Sequence, residues 1–234
     1  MNAIVRRAAW VFGLATFLCI TGGADAVAQP TEAAPAIVDT FIAVVPLRSL
    51  QDIKLDSERA GILRNQAKQR LAQAQEGVHA LTNMIMARQK DLEALDEYLD
   101  ALDADAKANE IAALKPKAAL LEKLVDLLEL RKKVRESEVE SAEATVAYTE
   151  AQEDLYSREG QLVTKRNDRA ELFKKKSSPA DLRAMDLSIK EMESEVLERW
   201  DKMLKKHEDS VSEEQDYMNL LKKLADAQDA FHTP

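Results

Sequence analysis

The sequence predicts an all-α fold: an elongated antiparallel three-helix coiled-coil bundle, preceded by a signal peptide and a short apolar extended segment. Three observations predict it. Charged residues make up 32% of the 234-residue chain and aromatics 5%, with six glycines and six prolines. Strands and their turns draw on more β-branched, aromatic and glycine residues than this, so long helices are the expected element. Apolar residues also recur at steps of three and four through Leu71, Ala74, Val78, Leu81, Ile85, Leu92, Leu95, Leu99, Leu102 and Ala106, a seam of about five heptads interrupted only by Arg88. The same register runs back through Leu50, Ile53, Ser57, Ala60, Arg64 and Ala67. Finally, 46% hydrophobic content at a mean hydropathy of -0.36 describes narrow apolar stripes on wet helices. Such stripes bury little area per residue, so stability must come from length or association.

The first element is an address. Arg6 and Arg7 precede an apolar run at 8–20, Thr21-Gly22-Gly23 breaks it, and Ala26-Val27-Ala28 offers a small-x-small cleavage site. Residues 1–28 therefore read as a signal peptide, the run being shorter than the roughly 20 residues of a membrane span. Leu18 before Cys19 is too large for a lipidated cysteine. Export to the periplasm or the extracellular space is expected. Cleavage would remove Cys19, the sole cysteine, and with it thiol catalysis and disulfides.

Residues 29–47 follow as a linker and an apolar N-terminal segment. Two prolines and no periodicity mark 29–36 as linker. The stretch IVDTFIAVVPL at 37–47 is β-branched and nearly uncharged, and Pro46 biases Val45 to an extended backbone. It reads as a strand, a strap on the bundle, or a segment that inserts into a membrane or partner. Phe41, Ile42, Val44 and Val45 are its candidate contact residues.

The helical domain is expected at 48–231, with helices at about 48–114, 117–176 and 179–231. Pro116 removes an amide donor and disfavours helix at Lys115, which places the first reversal there. The Asp-rich patch of Asp100, Asp103 and Asp105 is the competing place. The second helix opens strongly apolar (Leu120, Leu121, Leu124, Val125) and turns small and polar at Ser137, Ser141, Ala142 and Thr145. Lys174, Lys175 and Lys176 complement its C-terminal dipole. Ser178-Pro179-Ala180-Asp181 then supplies an N-cap, a proline at the first helical position and an acid three residues on. The third seam passes through Leu182, Met185, Ile189, Met192, Val196 and Met203, is polar at Lys206, Ser210 and Glu213, and is apolar again from Tyr217.

Reversals near 115 and 177 would bring Arg88 level with positions near 142 and 212. A polar layer of Arg88, Glu138, Ser141 and Glu213 is expected, fixing register more than adding stability.

The chemistry-bearing residues are sparse. His79, His207 and His232 form no zinc-ligand spacing, no phosphate loop or nucleophile elbow occurs, and adjacent carboxylates such as Glu213 and Glu214 suit a solvated face. Met84 and Met86 flank Ile85 and do not converge for copper. No catalytic, cofactor or metal residues are expected, and no cofactor. A net charge of -9 with interspersed signs disfavours nucleic acid. Trp200 and the Lys174, Lys175, Lys176 tip join the candidate partner or membrane contacts. The run LFKKKSSPADLRAMD is similar to the hairpin tips of periplasmic efflux-pump adaptors, but the β-rich lipoyl-type halves that flank those hairpins have no counterpart here, and no family is assigned.

The function expected from these features is that of a non-enzymatic cell-envelope scaffold or adaptor. Its partners would be envelope proteins or further copies of itself, met through coiled-coil seams, with membrane contact but no span after cleavage. The alternatives are a secreted membrane-active, pore-forming-like protein and a periplasmic holdase chaperone.

Overall fold

The computed structural model describes residues 39, 41–46, 48–102 and 107–232. The expected signal peptide, the linker at 29–36 and residues 37, 38, 40 and 47 of the apolar segment lie outside the described residues. Residues 41–234 form one compact unit. Its described part holds three helices, α1 (Leu50–Ala101), α2 (Ala108–Lys174) and α3 (Pro179–His232), and no strand.

α1 starts where Ser49 caps it. The Ser49 Oγ accepts from the Asp52 N–H at 3.0 Å and donates to the Asp52 carboxylate at 2.7 Å, satisfying one of the orphan amides of the first turn. Its buried residues include Ile53, Ala60, Ala67 and Ala74, spaced by seven as the seam predicts. Three of these four are alanines, and such small residues let the next helix approach closely.

The chain reverses between Leu102 and Lys107, earlier than Pro116 suggested. Leu102 leaves the helix in an extended conformation, and Pro116 sits inside α2. A proline there forfeits one backbone hydrogen bond and costs about 3 kcal/mol. Beginning α2 at Ala108 sets Ala118 into the buried face, half-buries Ile111 and Leu114, and lets the Tyr98 hydroxyl donate to Glu110 at 2.7 Å. Of the Asp-rich patch, Asp100 lies in the last turn of α1, and Asp103 and Asp105 lie outside the described residues.

The second reversal follows the sequence closely. The Lys176 N–H bonds the Phe173 carbonyl and the Ser177 N–H bonds that of Leu172, at 3.0 and 3.1 Å. This is a Schellman closure, with Lys176 in its left-handed position at φ 52°. Ser178 then caps α3 through the Asp181 N–H at 3.2 Å.

Both helix pairs run antiparallel. Arg64 meets Glu153, Lys68 meets Glu150 and Arg70 meets Glu138, so residue i of α1 lies level with about 212 − i of α2. Ser141 meets Glu214, Asp154 meets Arg199 and Arg169 meets Asp186, so residue j of α2 lies level with about 355 − j of α3. α2 is the middle helix, flanked by the other two, whose Cα atoms nowhere come within 8 Å of one another.

That placement explains the small polar residues halfway along α2. Ser137, Ser141, Ala142 and Thr149 are buried because α2 is covered on two sides and bulky residues would hold its neighbours off. Thr145 and Thr149 satisfy their hydroxyls on carbonyls one turn back, at 2.9 Å each. Further along, Leu155, Leu162, Ile189 and Val196 belong to an apolar core packed against Tyr148, Tyr156 and Met192.

Two substitutions test these backbone assignments. A methyl added at Gly160 would meet only the Ile53 side chain, at 4.0 Å, so Gly160→Ala removes a helix-interior glycine without a clash. Lys176→Gly removes a side chain from a positive φ. Each should stabilise the protein by about 0.5–1 kcal/mol, read as a rise in melting temperature.

Candidate functional site

Two polar assemblies interrupt the apolar packing. The first lies at mid-height. Arg70 of α1 reaches across to α3, donating through Nη1 to Glu214 at 3.1 Å and through Nε to Glu138 of α2 at 3.3 Å. Its guanidinium also stands 4.9 Å from the centre of the Tyr217 ring. Ser141 donates to Glu214, Arg135 bonds Glu138, and Thr145 and Ser210 meet at 3.2 Å. Burial alone would raise the Glu214 carboxyl, but hydrogen bonds from Ser141 and Arg70 outweigh it and hold the group below the usual carboxylate range. Burial likewise works against the charge on Arg70, and Glu214 and Glu138 more than restore it.

A polar layer containing Glu138 and Ser141 is therefore present, but its arginine is Arg70. Moving the first reversal from about 115 to about 106 shifts the residue of α1 that lies level with Ser141 by about 18 positions, five helical turns, which is the distance from Arg88 to Arg70. Arg88 is half exposed and bonds Asp91 on its own helix at 2.8 Å. Glu213 faces a shallow surface groove beside Glu140, Glu143 and Lys206, and its neighbour Glu214 enters the layer.

The second assembly holds the apolar segment down. Near the tip α1 has ended, and residues 41–46 cross the α2–α3 pair in its place. Val45 is buried, its carbonyl accepts from Arg166 at 2.8 Å, and the Val44 N–H donates to Glu193 at 3.1 Å. Arg166 and Glu193 bond each other and are 7% and 2% exposed, so the pair is withdrawn from water. Phe41 packs under Arg169, whose guanidinium lies 4.5 Å from the ring centre and also bonds Asp186. Residues 41–46 are thus a strap, with Phe41 and Val45 turned inward and Ile42 and Val44 outward, 79% and 67% exposed. Arg48 continues the latch into Glu159 at 3.0 Å and into Asp56. Burial lifts the Glu159 carboxyl above the carboxylate range despite Arg48 and a hydrogen bond from Trp200.

The remaining candidates stand apart from both assemblies, except Trp200, whose side chain bonds Glu159 of the latch. Trp200 is part exposed on α3. Lys174 bonds Glu171 at 3.0 Å at the exposed tip, with Lys175 and Lys176 beside it. His207 sets its ring against Tyr148 with 4.9 Å between centres, and His79 borders a surface groove with Gln75 and Glu140. Among the described residues no cluster of His, Cys, Asp or Glu could hold a metal, and no helix is long and apolar enough to cross a membrane. Sequence reasoning missed Arg166 and Glu193. Both fall in charged stretches, and only the strap's backbone marks them out. The chain matches no family model, no curated protein and no solved structure.

Two predictions follow from these geometries. Arg70→Leu leaves Glu138 with Arg135 and Glu214 with Ser141 but takes the shared cation from both, and should cost about 1–3 kcal/mol, whereas Arg88→Leu should stay within about 0.5 kcal/mol. Because Glu214 has a depressed folded pKa, its contribution is present above its unfolded value and lost as pH falls through the folded one. The melting gap between wild type and Arg70→Leu should accordingly be widest near neutrality and close in acid. At the strap, Arg166→Met leaves Glu193 buried without its cation and should cost about 3–5 kcal/mol, of which Glu193→Leu recovers the stranded-charge part but not the lost bonds to the Val44 and Val45 backbone. Denaturant titration of the single and double variants measures both numbers.

Proposed function

We propose that this chain is an exported, non-enzymatic coiled-coil protein serving as a scaffold or adaptor of the cell envelope, in the periplasm or outside the cell. One observation carries the reading. The two outer helices keep apolar side chains in water at heptad spacing, Leu55 and Ile62 on α1 and Leu197, Leu204, Val211 and Met218 on α3. A helix that exposes apolar residues at this interval is suited to receive another helix. The buried charged side chains Glu138, Glu159, Arg166, Arg169 and Glu193, by contrast, join α1, α3 and the strap to α2. The pattern of residues 1–28 supports export, and the buried heptad seam of α1 supports the coiled-coil assignment.

A second reading, membrane-surface activity, has Ile42 and Val44 in its favour. Dye release from anionic vesicles tests it, and intact vesicles remove it. Holdase activity is tested by suppression of aggregation of an unfolded client. For the scaffold reading, a photo-crosslinking residue is placed at Leu204 or Ile62, with Lys54 as an exposed polar control. Discrete cross-linked species at the two apolar positions and none at Lys54 are expected in intact cells. Equal or absent cross-linking at all three would overturn the reading.

A further inference from the structure

α3 carries a second apolar seam that its own chain does not use. Leu197, Leu204, Val211 and Met218 stand seven residues apart, and each is between 45 and 55% exposed. The seam that packs on α2 runs through Leu182, Ile189, Val196 and Met203, so the outer stripe begins one residue, about 100°, around the helix. α1 leaves it uncovered, its Cα atoms staying more than 8 Å from those of α3.

The flank of this stripe identifies what fits it. Four residues after each apolar position come Asp201, Glu208, Gln215 and Lys222, acidic at one end and basic at the other. Asp201, Glu208 and Lys222 are exposed and form no ion pair among the described residues. A parallel copy of α3 would set Asp201 against Asp201 and Glu208 against Glu208. An antiparallel copy centred on Val211, which sets residue i level with residue 422 − i, instead brings Leu204 level with Met218 and places Asp201 within one residue of Lys222, Glu208 within one residue of Gln215, and Trp200 within one residue of Leu221. The stripe is complementary to its own reverse.

We propose that α3 pairs antiparallel with α3 of a second copy of this chain about a two-fold axis at Val211. The inference rests on the helix-seam scaffold reading and names its partner. Such a contact is isologous and closes on itself, giving a dimer and no filament. It also accounts for a seam whose charged flank changes sign along its length, which a parallel partner of the same sequence would not tolerate.

Sedimentation equilibrium of the full chain tests the pairing, with circular dichroism showing that each variant keeps its helices. A dimer mass is expected. Leu204→Glu should abolish it, Asp201→Lys should weaken it about tenfold, and adding Lys222→Asp to Asp201→Lys should restore it. In a Cys19→Ser background, Val211→Cys should cross-link two copies under mild oxidation because the residue meets itself at the axis, whereas Leu197→Cys should not. A monomer mass, or a dimer indifferent to these substitutions, overturns the pairing. A monomer whose Leu204 position still cross-links a different protein in cells overturns this inference alone. A monomer with no cross-links at the apolar positions overturns the scaffold reading as well.

Discussion

α2 must bury two sides of one helix, and the rest of the structure follows from that constraint. α1 and α3 pack on it from different directions and keep their backbones apart, so neither seals the other's edge. A middle helix built of leucine throughout would hold its neighbours too far away. Ser137, Ser141, Ala142 and Thr149 provide closeness at half-height, and the hydroxyls of Ser141 and Thr149 are satisfied within the protein. Small buried residues supply little hydrophobic free energy, which leaves alignment at that level to polar contacts. Arg70 is the side chain that spans the remaining gap, touching Glu138 of α2 and Glu214 and Tyr217 of α3 at once.

The two polar assemblies answer different problems. At mid-height the groups are partly wet, and their mutual attraction sets register at modest cost in desolvation. Under the strap, Arg166 and Glu193 are almost fully withdrawn from water, where a lone charge would be costly. Their bonds to the Val44 N–H and the Val45 carbonyl satisfy strap backbone that has no helix or sheet to pair with. The buried ion pair therefore works as an attachment point for an irregular segment, and it explains why 41–46 takes one defined path where α1 has ended.

Much of this architecture was legible in the sequence. The heptad seam at Ile53, Ala60, Ala67 and Ala74 is the buried face of α1, and Ser178, Pro179 and Asp181 open α3 where their chemistry requires. The first reversal was not legible. Proline is the strongest local signal against helix, yet its cost of about 3 kcal/mol is smaller than what tertiary packing of a long helix supplies. One misplaced turn moves every level partner by twice the error. Glu138 and Ser141 could thus be found as layer residues from their own helix while the arginine opposite them could not. Glu193 was hidden for a related reason, since its partner is the backbone of a segment about 150 residues away, and backbone carries no sequence signal.

The same geometry bears on where interaction is physically available. The strapped end is closed by Phe41 and Val45, which pack with Leu155, Leu162, Ile189 and Val196. The outer edge of α3 is the reverse, apolar at heptad intervals and flanked by Asp201, Glu208 and Lys222, which form no ion pair among the described residues. A three-helix arrangement that closed α1 onto α3 would have buried that edge and gained stability from it. Packing α1 and α3 on different sides of α2 leaves the apolar edge in water, a cost that burial against another helix would offset. The two-sided burial of α2 that shapes the unit is therefore also what leaves the outer edge of α3 exposed.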